Sequence, residues 1–494
     1  MVRQTTNHGL HVYEQGDTDW THAPDMETIE ERLVVRDARE AIGDYEPHEG
    51  ATYVATDTGA VYDGDGEEWT KATREYATAA VDDLITRETP VADVRAYGAD
   101  GDGSGDDTGA LRDALDATDA GVVYLPRGTY RITDQLSVGS ARLRGDGMGT
   151  STIELEENVE RAIAVDGEGG RVADFSLECD GRAVTGVQLE AAHASAERVA
   201  VDGVDQWGSQ EGSTACINVM SAPHADVTRC RATRARAPNT GISNGIHVAG
   251  GGGDVTVSGC RVDDVTPKDD GDGIVIQGEN PGTRVIGNHV TDAAKSALKI
   301  NRPSSRTISV LATGNTLQAH EDCLSIARIQ GTETTFAGNT LVQKRVGDAA
   351  LRVSTDPSFE GAPVTVSGNV IELTDPAGGN DLIRVRDWDR TVVLNDNSLK
   401  LHGGGDRGIR VDGSKNVVIN GNSVDAVGGN AVELAGTNGA SITGNVFDDV
   451  GGAGIAIDDD AERCAITGNA IDAADGIAVA DGASDVEVGT NVGG

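Results

Sequence analysis

The sequence predicts an all-β chain: a right-handed, single-stranded parallel β-helix carrying a small N-terminal attachment region. Two repeats predict it. From about residue 160 onward an apolar–any–apolar triplet recurs every 22 to 32 residues, from Ile163–Val165 through Ile246–Val248, Ile274–Ile276, Leu298–Ile300, Leu324–Ile326 and Leu351–Val353 to Ile477–Val479. Between the later triplets sits a Gly-Asn, or a similar pair such as Asp396-Asn397, flanked by apolar residues, as in VIGNHV, FAGNTL and ITGNAI. Its series Asn288, Asn315, Asn339, Asn369, Asn397, Asn422, Asn445 and Asn469 is spaced by 27, 24, 30, 28, 25, 23 and 24. A period of this size is that of a solenoid. Alternating apolar runs broken by Gly, Asn and Asp are strands and turns, not helices. Thirteen triplets imply about thirteen coils, with apolar residues stacked inward and the asparagines forming a hydrogen-bonded ladder.

The segments follow in order. Residues 1–75 are non-repetitive and hold Trp20 and Trp69. ATYVATDTGAVYDGDGEEW (51–69) reads as a hairpin around Thr58-Gly59, and residues 26–42 contain a short helical pattern. Residues 76–90 close a linker helix that ends at Pro90. Residues 91–160 open the β-helix, and an amphipathic helix from Asp107 to Ala117 caps its end, hiding apolar residues and strand edges. Residues 161–494 are the β-helix proper.

Composition sets the environment. The chain has 81 acids against 40 bases, a net charge of −41, and only seven of the bases are lysines. Acid-rich, lysine-poor composition spread over the whole chain marks a halophile, since molar salt shortens the Debye length to ~3 Å and screens self-repulsion. This charge argues against nucleic-acid binding. No stretch of eighteen apolar residues spans a membrane, and the N-terminus has no secretory signal pattern. Six cysteines form no Cys-x-x-Cys, so zinc is not indicated. Cys230 and Cys260 replace ladder asparagines and are expected as buried stacked thiols.

The middle residue of each triplet points outward. The resulting column reads Ala164, Gln188, Asn218, His247, Val275, Lys299, Ser325, Arg352, Arg384, Arg410, Glu433, Ala456 and Ala478. Coils repeat at ~4.8 Å, so Lys299, Arg352, Arg384 and Arg410 form a basic stripe, and like charges so placed need counter-charges. Two readings stand: pairing with Asp348, Asp381, Asp406 and Glu433, or a groove for an acidic or polyhydroxylated chain. Trp388, flanked by Arg386, Asp387, Asp389 and Arg390 in a loop, is a candidate for stacking on a sugar ring; packing on the solenoid wall is the alternative.

VADVRAYGADGDGSGDDTGALRDAL, GVVYLPRGTYRI and LRGDGMGTSTIEL resemble the opening segment of the pectate-lyase-like β-helix superfamily, which holds family 28 glycosidases, pectate lyases and virus tailspikes. The resemblance covers residues 91 to about 490. It implies the fold; the chemistry varies across the superfamily. GDGIVI resembles the Asn-Thr-Asp-Gly segment of family 28 and places Asp272 on its first aspartate; HEDCLSI resembles the Asp-Asp segment and places Glu321 and Asp322. Here the two segments lie two coils apart, ~9.6 Å, at the upper limit for an inverting pair. The family's Gly-His-Gly and Arg-Ile-Lys segments have no counterpart. Asp272 also fits a plain strand-opening turn residue. A lyase would need a base and a cation: Lys299, Arg352 and His247 are candidates for the first, and Asp269 and Asp270, with Asp272, offer hard oxygen ligands for Ca2+; no other cofactor is implied. NHGLHVYEQGDTDW and the 51–69 hairpin resemble N-terminal parts of viral tail fibres and tailspikes.

The expected protein is therefore a tailspike-like component of a halophilic archaeal virus, located in the virion tail. It is expected to bind host surface glycan through Asn218, His247, Lys299, Arg352, Arg384, Arg386, Trp388 and Arg410. It is also expected to be a homotrimer attached to tail or baseplate proteins through residues 1–90. As an enzyme it would be an inverting glycoside hydrolase or a polysaccharide lyase. A cell-encoded hydrolase or lyase and a non-catalytic adhesin are the competing classes.

Overall fold

In the computed structural model, the chain divides into two compact units, Met1–Val91 and Ala92–Gly494. The structure describes residues 2–6, 9–15, 20–22, 34–37, 39–45, 52–55, 61–64, 66–71 and 91–493. The last stretch excludes 119, 207–212, 239–240, 268–269, 302–308, 322, 332, 356–361, 377 and 403–406.

The first unit contains two small sheets. Val2–Thr6, Gly9–Gln15 and Trp20–His22 form an antiparallel three-stranded sheet. In the second sheet, Thr52–Ala55 pairs antiparallel with Val61–Gly64, with Tyr53 opposite Tyr62, so the hairpin expected around Thr58-Gly59 forms. Its core is aromatic: Tyr53 is fully buried against Tyr45, Tyr62 and Trp69, and the Trp69 indole donates to the Tyr45 carbonyl at 2.9 Å. The short helix expected within 26–42 is instead, where described, a strand Val34–Asp37 followed by a 3-10 helix Arg39–Asp44. The expected linker helix falls on residues outside the described ones.

The second unit is a right-handed parallel β-solenoid of about 14 turns, against the thirteen expected. Most strands pair in parallel with the strand three positions later, and several toward either end with the strand two positions later, which stacks successive coils in parallel register. One inward column runs Ile246, Ile274, Leu298, Ala327, Leu351, Ile383, Ile409, Val432, Ile455 and Ile477. Here one expectation fails: Leu324 is not in the column. The strand Ala327–Gln330 carries it three residues later, and Leu324 is 39% exposed. Two overlapping patterns, Leu-Ser-Ile and Ala-Arg-Ile, both satisfy the apolar alternation, and the second one pairs.

The asparagine ladder forms and extends beyond the expected series. Each Oδ1 accepts both the backbone N–H and the side-chain amide of the asparagine one coil earlier, as Asn315 does from Asn288 at 2.9 and 3.0 Å. The ladder is headed by Cys260, whose N–H donates to Asn288, and ends on Asn491. The preceding glycine adopts a left-handed turn, as Gly287 (φ 63°) and Gly314 (φ 65°) do, which a Cβ would strain. Cys230 and Cys260 are buried free thiols. At the N-terminal end the helix Thr108–Asp116 lays Leu111, Ala114 and Leu115 onto the core. At the other end Val479, Val488 and Val492 are 42%, 48% and 71% exposed.

Candidate functional site

The outward column lies on the sheet that holds the triplets. Parallel register aligns Gln188, Asn218, His247, Val275, Lys299, Arg328, Arg352, Arg384, Arg410 and Glu433 on successive coils. Ser325 is absent from it; Arg328 takes that place as a consequence of the three-residue shift. The missed residue had a signal, because an arginine between Lys299 and Arg352 continues a basic row that a serine interrupts. Although they point away from the core, these side chains are not crests. Gln188, Asn218 and Lys299 are 8%, 7% and 8% exposed, and the arginines are half-buried. His247, whose Nε2 lies 3.3 Å from the Gln277 amide oxygen, is held below the ordinary imidazole range by burial, against the Gln277 contact and together with the Lys299 charge.

The tightest cluster is around Asp272, at the start of the strand Asp272–Ile276. Its carboxylate is 1% exposed and lies 2.9 Å from an Arg328 nitrogen and 3.8 Å from Lys299 Nζ. Asp270 lies 3.3 Å from the same Arg328 nitrogen and 2.8 Å from Lys299 Nζ. Arg328 Nε donates to Ser296 Oγ at 2.8 Å, which fixes the guanidinium between the two aspartates. Burial pushes the Asp272 carboxyl above the ordinary range, more strongly than Arg328 and Lys299 pull it down. At Asp270 burial also raises, but the Lys299 hydrogen bond and the two cationic charges together outweigh it and hold the group low. One carboxyl pushed up and one held down, sharing a guanidinium nitrogen, is the asymmetry that acid–base chemistry uses. Lys299 already neutralises Asp270 where a metal would sit, so the described residues do not fit Ca2+; Asp269 lies outside the described residues, and no group of three or more ligands suited to a metal occurs among those described.

Below this cluster the arginines form an ion-pair lattice. Asp348 bridges Arg352 at 3.1 Å and Arg384 at 2.6 Å; Asp412 bridges Arg384 at 2.9 Å and Arg410 at 2.7 Å; Glu433 contacts Arg407 at 2.7 Å and Arg410 at 3.9 Å. Of the four expected acids, Asp348, Asp381 and Glu433 take part and Asp406 lies outside the described residues; Asp412, unforeseen, takes a central place. Asp381 is 1% exposed, 3.6 Å from Arg407, and burial pushes its carboxyl up to about 7 in spite of Arg407, Arg384 and Arg410.

Other expected site residues are not brought together. Glu321 pairs with Lys344, whose hydrogen bond holds it below the ordinary range, and lines a surface cavity of about 350 Å³ with Thr291, Gln318 and His320. It shares no partner with Asp272, and Asp322 lies outside the described residues. Arg386 pairs with the neighbouring Asp387 at 3.1 Å. Trp388 corrects its expectation: it is fully buried, its indole donates to the Ala362 carbonyl at 2.9 Å, and its faces are core surface, not a sugar platform. Its charged neighbours in sequence had suggested an exposed loop.

Residues 91–347, just over half of the chain, match the family described as rhamnogalacturonase A/epimerase, pectate lyase-like, and residues 365–492 match the right-handed β-helix region. A stretch of 81 residues is 40% identical to alginate lyase 7 of Azotobacter vinelandii. It is 14% of this chain and 10% of that protein, so the chain spans about a tenth of the curated relative it matches. Among solved structures, the pre-mature bacteriophage phi29 gene product 12 is 15% identical, with a TM-score of 0.50, over 84% of this chain and 57% of that one. The A-module of Azotobacter vinelandii mannuronan C-5 epimerase AlgE4 is 18% identical, with a TM-score of 0.39, over 81% of this chain and 100% of that one. At 15% identity the likeness to gene product 12 speaks for the fold alone.

Proposed function

The chain belongs to the rhamnogalacturonase A/epimerase, pectate-lyase-like family, and on that premise we propose that it is a polysaccharide-binding β-helix protein. Its contact face is the outward column from Asn218 to Arg410. The observation that carries the proposal is the in-register column of amide, imidazole, ammonium and guanidinium groups, interrupted by Val275 alone between Asn218 and Arg410, a linear array of donors along the axis. Glycan hydroxyls and carboxylates accept such donors, and the arginine forks act at contact distance when salt screens the long-range field. The ion-pair lattice opposes an anionic ligand in part, because a uronate competes with Asp348 and Asp412 for the same guanidinium groups. A polyhydroxylated chain that accepts from the outer edges of the lattice avoids that competition.

The finer reading is a virion tailspike-like protein acting on a host surface glycan. It rests on the tail-fibre resemblance of residues 7–20 and 51–69, with attachment and homotrimer assembly assigned to residues 1–90. The acid-rich, lysine-poor composition supports a halophilic setting. A second reading, glycan cleavage, is favoured by Asp270 and Asp272: the buried acid would donate a proton and the ionised one would act as base or stabiliser, with Lys299 and Arg328 orienting both.

The test is adsorption of the full chain to purified surface glycan from halophilic cells in molar salt, with new reducing ends and unsaturated-uronate absorbance followed in parallel. Arg352→Ala with Arg384→Ala is expected to lower retention about tenfold, while Ala456→Ser with Ala478→Ser leaves it unchanged. Equal retention by the arginine pair variant with its melting temperature intact would overturn the assignment of this face. Cleavage that survives Asp272→Asn would remove the second reading.

A further inference from the structure

A second basic row lies on a different sheet, the one that follows the ladder turn. Parallel register places Arg231 against Arg261 and Arg261 against His289, on three successive coils. All three side chains are exposed. In a chain with twice as many acids as bases, other arginines of these coils have a carboxylate: Arg234 pairs with Asp202, and Arg236 with Asp264 at 2.9 Å. Among the described residues neither Arg231, Arg261 nor His289 has an ion-pair partner. Asp202, which the Arg231 charge helps to hold low, is hydrogen-bonded by Arg234 and Thr233, and Asp263 accepts from Thr291 Oγ1 at 2.7 Å. Arg229, at the adjoining turn, extends the patch; its guanidinium, 72% exposed, reaches Glu197 only at 3.8 Å.

Like charges stacked at the ~4.8 Å coil spacing are unfavourable on their own. An extended ligand that presents one anionic group per unit along the solenoid axis turns that cost into attraction. We propose that Arg231, Arg261 and His289, with Arg229 beside them, bind a linear carboxylate-bearing polysaccharide that runs parallel to the axis. An extended chain of uronic acids carries one carboxylate per sugar, at a repeat comparable to the coil spacing, and arginine binds carboxylate through paired N–H donors. The row ends where the chemistry changes: the next residue in register after His289 is Thr316, also exposed and uncharged. This inference rests on the reading of the chain as a glycan-binding protein, but it uses none of the residues of the other face.

The experiment titrates the full chain with a galacturonate oligosaccharide and, separately, with neutral dextran, at ~0.1 M and ~1 M salt, where the Debye lengths are ~10 and ~3 Å. The parent is expected to bind the galacturonate oligomer more weakly at the higher salt, while retention of dextran, which carries no charge, does not change with salt. Arg231→Ser with Arg261→Ser is expected to weaken galacturonate binding about tenfold, and Thr316→Arg, which lengthens the row by one coil, to tighten it about threefold. Equal affinity in the parent and the serine variant, or no tightening in the arginine variant, would overturn the proposal. Ala456→Ser with Ala478→Ser is the control that leaves galacturonate binding unchanged. If Arg352→Ala with Arg384→Ala abolishes binding while Arg231→Ser with Arg261→Ser does not, the acidic glycan sits on the other face and this row is not its site.

Discussion

Asp381 shows how a single buried carboxyl can leave a signature in the pH dependence of the whole fold. Its ordinary value is 3.8, and burial raises it to about 7 in the folded chain. The folded state therefore holds a proton that the unfolded chain has released across that interval. Its contribution to stability is fully present below about pH 4 and is lost as pH rises through about 7. Lowered carboxyls such as Asp174 and Asp106 act in the opposite sense, so the useful quantity is a difference between two proteins. Asp381→Asn is expected to remove a fall in stability of roughly 4 kcal/mol between pH 4 and 7. Denaturant titrations at matched high salt read it directly, and parallel pH profiles for the parent and the variant would contradict the assignment. Arg328 was missed because two overlapping apolar alternations fit the strand, and only the continuity of the basic row favoured the second. Trp388 was misread because its flanking charges are partly or fully exposed while its own ring is not. Neither error comes from chemistry; both come from not knowing which residue of a short segment turns inward.

At the level of the repeated element, the turn is what the sequence made plainest. A glycine that tolerates positive φ followed by an inward asparagine is a local instruction, written in two residues and repeated with little variation. The ion pairs of the outward column were much less legible, because they join residues on different coils through loops of unequal length: Asp348 reaches Arg384 across 36 positions. Asn339 tests the turn. Its Oδ1 accepts from the Asn315 backbone and side chain at 3.0 and 2.9 Å, and its amide donates to Ala312 O and Asn369 Oδ1. Asn339→Ala strips partners from buried groups on both neighbouring coils, and a loss of about 3 kcal/mol is expected. A shift in the urea midpoint equivalent to less than ~1 kcal/mol would mean that the ladder is redundant with the sheets.

At the scale of the whole molecule, the triplet and Gly-Asn periods made the solenoid, its parallel sheets and its helical cap legible. The path of the chain through the long connections was not, since those segments carry no period. Assembly is the remaining question at this scale. A homotrimer of the 51.0 kDa chain, organised by residues 1–90, is expected in molar salt and is expected to loosen as salt is withdrawn, because charge of one sign on each subunit is screened only at high ionic strength. Light scattering at high salt that returns the mass of a single chain would end that expectation.

The Gly-Asn corner has a consequence for how such a molecule changes over time. Spacings between ladder asparagines range from 22 to 30 residues, yet every rung keeps nearly the same length. All variation is therefore pushed to the opposite side of each coil. The protein behaves like a bound book, with a stitched spine and a loose outer margin: text can be lengthened, cut or rewritten at the margin, and whole leaves added, without disturbing the binding. Recognition that must keep pace with a changing partner is best placed on such a margin, where novelty costs the fold least.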